Sequence, residues 1–234
     1  RRWFDLTSTL ADSGRGALVH RLDRLSVGYT TEHTVLRLGR QAISWGNGLL
    51  FNPMDIINPF DPAAIDTEYK TGDDMAYGQY LFDDGSDLQG IAVVRRDPLT
   101  GDVERDQSSL ALKYHGFIGM NEFDLLAAEH YDDTVLGLGM SFSVGGAVWR
   151  GDLTWTDTAR ERAWSLVTGA TWSWTWNGRN VSGVLEYYYN GFGQPGGEYR
   201  PVDLLRNPDL LRRIERGELY TLGRHYIGAS ATIE

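Results

Sequence analysis

Apolar and polar residues alternate with a period of two along most of this chain, and helical periodicity is nearly absent. Leu136, Leu138, Met140, Phe142 and Val144 fall on one side of an extended segment, and Gly137, Gly139, Ser141 and Ser143 on the other. Trp149, Leu153 and Trp155 oppose Arg150, Asp152, Thr154 and Thr156. Trp164, Leu166, Ala170, Trp172, Trp174 and Trp176 oppose Ser165, Gly169, Thr171, Ser173 and Thr175. The pattern predicts about twelve strands: 1–12, 17–31, 33–45, 75–84, 87–98, 107–118, 121–132, 134–145, 147–158, 163–176, 179–190 and 220–234. At about 10–14 residues they exceed the usual strand of ~5–6 and suit tilted membrane strands.

The connections sharpen this picture. Every second one is tight and carries hairpin-turn residues: Thr31-Glu32-His33, Asp84-Gly85-Ser86, Gly119-Met120, Gly145-Gly146 and Asn177-Gly178. The intervening ones are longer, at 46–74, 99–106, 159–162 and 191–219, with the turn at Asp132-Asp133 as the exception. Short turns on one side and long loops on the other are what an up-and-down transmembrane β-barrel gives. A soluble sandwich has no reason to show that alternation; it would bury the apolar strand faces in a core instead of in lipid.

The expected fold class is therefore all-β, an antiparallel up-and-down transmembrane β-barrel forming a single domain over 1–234, closed by these strands or lining part of a larger barrel. Segment 46–74 is too apolar to extend freely into water, and is expected to fold into the barrel mouth or onto its rim. Trp45, Phe51, Asp55 and Phe60 are its candidate constriction residues. Segment 191–219 holds one helix candidate, 202–216, with Leu204, Leu205, Leu210, Leu211 and Ile214 on its apolar side, Asp203 near its start and Gly217 after its end.

Composition fits this reading. A mean hydropathy of -0.35 and the lack of any run of ~18 apolar residues exclude a transmembrane helix but not a barrel, whose strands average to mild polarity. With no Cys, disulfide and thiol chemistry are excluded. A net charge of -10 argues against nucleic acid as a partner. Of the 22 basic residues only Lys70 and Lys113 are lysines, and arginine favours fixed ion pairs. Among the 8 tryptophans, Trp149, Trp174 and Trp176 lie beside tight turns, and Trp155 and Trp164 at the other strand ends. They are the candidate interfacial girdles of a barrel, or else core residues of a sandwich. The chain starts at Arg1-Arg2-Trp3 with no signal peptide and ends at Ile233-Glu234 without a terminal aromatic. A fragment of a longer exported barrel is expected from that.

Segment 37–62 carries Gly39-Arg40-Gln41, Trp45-Gly46, Asn52-Pro53, Asp55 and Asn58-Pro59. It resembles a group of poorly characterised proteobacterial outer-membrane porin-like barrels, some encoded near exporters of the resistance-nodulation-division type. The resemblance implies a Gram-negative outer-membrane location, contact with outer-membrane lipid, and passage of a solute. It also implies an envelope exporter or other protein subunit as a partner, and no catalytic residues.

Sequence chemistry adds little to that. The 5 histidines are scattered without metal-ligand spacing, and no nucleotide-binding or hydrolase motif is present, so neither enzyme activity, cofactor nor metal is expected. Asp55, Asp61, Asp66, Asp73 and Asp74 in one loop read as turn residues, with Ca²⁺ binding the rival. Arg37, Arg95, Lys113, Asp124, Arg150, Asp152 and Glu186 are the candidate lumen-lining charges, since Arg or Lys facing lipid at mid-bilayer costs about 2–4 kcal/mol. They would filter solutes or form ion-pair ladders that stiffen the wall. A structural or partner-binding barrel that scaffolds an envelope complex, a Ca²⁺-binding outer-membrane enzyme and a soluble all-β binding domain are the alternatives.

Overall fold

The computed structural model describes residues 2–59, 70–196 and 201–233. It is all-β, with thirteen strands in antiparallel sheets and two helices. The strands are β1 (Thr7–Asp12), β2 (Ala17–Arg21), β3 (Leu25–Thr30), β4 (Thr34–Gln41), β5 (Asp73–Leu81), β6 (Asp87–Val93), β7 (Ser109–Ile118), β8 (Asn121–His130), β9 (Asp133–Val144), β10 (Ala147–Asp157), β11 (Arg162–Trp176), β12 (Arg179–Tyr189) and β13 (His225–Ile233). Helices α1 (Pro201–Leu204) and α2 (Pro208–Arg216) lie between β12 and β13.

Strands β3 to β13 form one eleven-stranded meander in chain order, and β1 and β2 form a separate hairpin. Every neighbouring pair in the meander is antiparallel, and consecutive strands are always the ones that pair. Among the described residues no closed barrel is formed: β3 and β13 are each paired on one side only. Because eleven is odd, these two edge strands run in the same direction, so pairing them directly would make a parallel seam.

Two corrections to the sequence reading follow. The expected strand 17–31 is broken at Leu22-Asp23-Arg24, where the chain leaves the hairpin and enters the sheet. The break is fixed from outside: Arg40 donates to the Leu22 carbonyl at 3.1 Å, and Arg24 donates to the Lys70 carbonyl at 2.7 Å. The expected helix 202–216 is two helices. Asn207 interrupts it, accepting a hydrogen bond from the Leu210 amide, and Pro208 starts the second helix.

The tight turns all fall at one end of the sheet. At 177–178 both Asn177 (φ 50°) and Gly178 (φ 75°) are left-handed, as a two-residue hairpin of matching twist requires. At the opposite end the turn at 131–132 uses two non-glycine residues in that region, Tyr131 (φ 51°) and Asp132 (φ 70°). The Arg95 and Arg216 guanidiniums lie over the Tyr131 ring at 4.6 and 4.3 Å and hold it there.

The sheet has two unlike faces. Leu36, Leu38, Leu112, Leu125, Leu136, Leu138, Trp172, Leu185 and Ile227 stand on one face and are all exposed. The other face mixes Arg37, Gln89, Lys113, Asp124, Asp152 and Glu186 with glycines and with buried apolar residues. Residues 42–59 lie against this second face. Their Ile43, Trp45, Met54 and Ile57 form one core with Met75, Tyr77, Ile91, Val93, Leu126 and Val135 of the strands. Burying each such large side chain contributes roughly 1.5–3 kcal/mol. A smaller core joins Ala163, Phe192 and Leu210 where α2 meets the start of β11.

Candidate functional site

The inward carboxylates of the strands hold the backbone of the segment that crosses them. On β10, Asp152 accepts from the Asn47 amide at 2.7 Å, from Asn47 Nδ2 at 2.8 Å and from the Gly48 amide at 3.3 Å. On β12, Glu186 accepts from the amides of Leu49, Leu50 and Phe51 at 2.5, 2.7 and 3.2 Å. Five consecutive N–H groups, 47 to 51, thus end on two buried carboxylates. Charge-assisted bonds of this kind are about twice as strong as neutral ones. They satisfy amides that would otherwise be stranded in the interior.

A third carboxylate completes the clamp. Asp124 on β8 accepts from Lys113 Nζ at 3.0 Å and Asn47 Nδ2 at 3.1 Å, and His115 Nδ1 lies 3.0 Å away. Space for it comes from Gly139 between Asp124 and Asp152 in register. A Cβ there would lie 2.6 Å from Asn47 Nδ2 and 2.8 Å from Asp152 Oδ1. Trp45 Nε1 donates to Gln89 Oε1 at 2.7 Å, tying the other end of the segment to β6.

The remaining residues expected in the loop divide. Phe51 stacks on Tyr188 with ring centroids 5.1 Å apart and tilts against Tyr226 at 5.6 Å. Asp55 is buried beside Lys70, with which it forms an ion pair. Burial pushes the Asp55 carboxyl up to about 7, against the pull of the Lys70 ammonium. Phe60, Asp61 and Asp66 lie outside the described residues. Asp73 and Asp74 do not converge with Asp55: Asp73 binds Arg95 at 2.7 Å and Asp74 binds Arg40 at 2.9 Å. Among the described residues no cluster of metal-ligating side chains forms.

Of the seven candidate lumen charges, Asp124, Asp152 and Glu186 converge on the segment as described, and Lys113 pairs with Asp124. Arg37 packs its guanidinium over the Tyr77 ring at 4.5 Å on the same face. Arg150 donates to Thr171 Oγ1 at 3.0 Å, nearer the tight turns. Arg95 lies just past β6, and reaches Ser109 Oγ at 2.7 Å at the long-loop end.

The tryptophans stand on the opposite face. Trp155 and Trp164 are cross-strand partners with centroids 6.3 Å apart near the long-loop end. Trp149 pairs with Phe142 at 4.7 Å beside the turn at 145–146. Trp174 stacks on Trp172 at 6.0 Å, and Trp176 ends the same strand.

Two arrangements carried no signal in the alternation. Arg40 follows Leu36 and Leu38 on the apolar face, yet is buried: it makes a two-pronged pair with Asp74 and donates to the carbonyls of Leu22 and Phe4. Arg213 of α2 joins Asp133 at 2.6 Å and Glu218 at 2.5 Å, and lies over the Phe192 ring at 4.0 Å. It fastens the helix to the start of β9. Comparison of the chain with protein-family models, with characterised proteins and with solved structures yields no match.

Proposed function

We propose that this sheet is wall of a porin-like or export-associated β-barrel in a Gram-negative outer membrane. Its apolar face meets lipid, and residues 42–59 narrow the interior through which a solute passes. The observation that carries this reading is the division of the sheet's faces. Exposed Leu, Trp and Ile side chains continue from β3 to β13 on one face, while the other carries the buried charges and a core covered by the chain's own loop. A contiguous exposed apolar surface on this scale needs an apolar environment.

Dimensions support the same reading. Trp164 and Trp174, near the two ends of β11, are ten residues apart, about 33 Å of strand. At the ~40° tilt of such barrels this projects to about 25 Å, the height of their apolar band between aromatic girdles. Near the tight turns the inner face carries exposed Ser173, Thr175, Asn180 and Ser182, with no loop over them among the described residues.

The test is conductance in planar bilayers. The proposal expects small discrete steps, made larger in the Asp152→Asn, Glu186→Gln double variant, which frees the clamped segment. No conductance above background in either chain would overturn it. A second reading, a barrel that scaffolds an envelope complex, has its own support. The interior is densely filled around Met54, which is 0% exposed, and each edge strand, β3 and β13, has one side without a strand partner among the described residues. That reading expects a fixed partner to co-purify in detergent with a chain that does not conduct.

A further inference from the structure

A cavity of about 80 Å³ lies between the docked segment and the loop that carries α2. Four residues on its wall have a buried polar atom without a hydrogen-bond partner: Asn52 Oδ1, Asp55 Oδ1, His130 Nε2 and Glu218 Oε1. The last faces Arg216 Nη1 in an ion pair at 3.5 Å. Asp55 is 3% and His130 2% exposed. Native interiors leave few such atoms unbonded, because each costs about 1–3 kcal/mol. Four around one cavity point to a bound group that pairs with them.

Neighbouring groups fix the proton on His130. Arg95 has only donors, and its Nη1 reaches Ser109 Oγ at 2.7 Å. Ser109 Oγ lies 2.8 Å from His130 Nδ1. Among the described residues the Ser109 hydroxyl proton has no other acceptor, so it is given to Nδ1. The ring hydrogen therefore sits on Nε2, which donates. The four unbonded atoms are thus one donor and three acceptors.

That set discriminates between ligand classes. A carboxylate or phosphate could take the Nε2 hydrogen but would face three acceptors. An ammonium would meet the Nε2 hydrogen, and both wall carboxylates already hold cations, Lys70 on Asp55 and Arg213 on Glu218. A hydroxyl donates and accepts. The rest of the wall mixes the hydroxyl side chains of Thr154, Thr156, Ser165 and Thr221, which can each donate and accept, with the stacked Phe51 and Tyr188 rings and Val135, which suit a carbon chain. With ~10–15 Å³ needed for each water-sized group, the volume fits a handful of them. We propose that this cavity binds a small neutral polyol of three or four carbons, with its hydroxyls on Asn52, Asp55, His130 and Glu218. The site needs residues 42–59 docked, and does not depend on whether the sheet lies in a membrane.

The experiment is saturation-transfer NMR on the full chain in a zwitterionic detergent, chosen because sugar-headed detergents are themselves polyols. The probes are glycerol and erythritol, with propionate and propylammonium as charged controls. Glycerol or erythritol is expected to show saturable transfer that neither control displaces. Affinity should fall about tenfold in His130→Phe and in Asn52→Leu, with near-ultraviolet circular dichroism unchanged. Should His130→Phe fail to fold, Asn52→Leu decides, since Asn52 Oδ1 has no protein partner to lose. Absence of saturable transfer, displacement by either control, or unchanged affinity in the folded variants would overturn the proposal.

Discussion

The Glu186 carboxylate and the Leu50 amide lie 2.7 Å apart, although 136 residues separate them in the chain. That bond and its neighbours hold an apolar loop against the inner face of the sheet. Replacing Glu186 by Gln puts an N–H₂ among three amide donors. Bonds to a charged acceptor are worth about 1.5–3 kcal/mol, so amides 49–51 should exchange with solvent roughly 10–100-fold faster. Hydrogen exchange with mass spectrometry reads this directly; unchanged protection would mean that the apolar core alone docks the segment.

The Arg40–Asp74 pair is the second anchor. Its members are 2% exposed each, and Asp74 also accepts from the Phe4 amide at 2.8 Å. Arg40→Met leaves Asp74 buried without its cation, at a cost of about 3–5 kcal/mol. The loss should appear as a lower denaturation midpoint and as protease cleavage between residues 2 and 24. Adding Asp74→Asn to Arg40→Met should restore part of the loss, because the stranded charge is then gone.

How much of this was legible in the sequence depends on the range of the interaction. The meander follows from period-two alternation and alternating connection lengths, both local. The break at Leu22-Asp23-Arg24 was not legible, because alternation runs on through it while its cause, the Arg40 guanidinium, comes from β4. Asp152 and Glu186 could be read as inward charges; that they bind the backbone amides of 47–51 could not, since no side-chain pattern encodes an amide donor. The division of the helix at Asn207-Pro208 was present as a cap signal beneath a continuous apolar stripe. Closure was the opposite case: twelve strands would pair end to end antiparallel, and the loss of one strand from the sheet to the hairpin removes that possibility.

The two faces should respond oppositely to charge. Leu138→Arg places a cation on the apolar face, and in lipid vesicles should cost about 2–4 kcal/mol. Ser173→Arg, on the inner face, should stay within about 0.5 kcal/mol. Equal effects in reversible unfolding from vesicles would contradict the assignment of the faces.

Seating of the loop should depend on pH. The Asp55 carboxyl is raised from 3.8 to about 7, first by burial. A carboxyl raised on folding contributes stability that is present below its unfolded value and lost as pH rises through its folded value. Protection of residues 47–57, corrected for intrinsic exchange, should therefore fall between about pH 4 and pH 7. Asp55→Asn should lack this slope whatever its absolute stability; a slope that persists in the variant would assign it to another group.

The central claim is that the face bearing Trp172 meets lipid while the face bearing Trp45 is the interior. Trp172 is 37% exposed and Trp45 3%. The most direct measurement is fluorescence quenching by brominated lipids in vesicles, using two variants that keep only Trp172 or only Trp45. The account predicts strong quenching of Trp172 and little of Trp45. Equal quenching of both, or a chain that stays in solution with Trp172 unquenched, would contradict it.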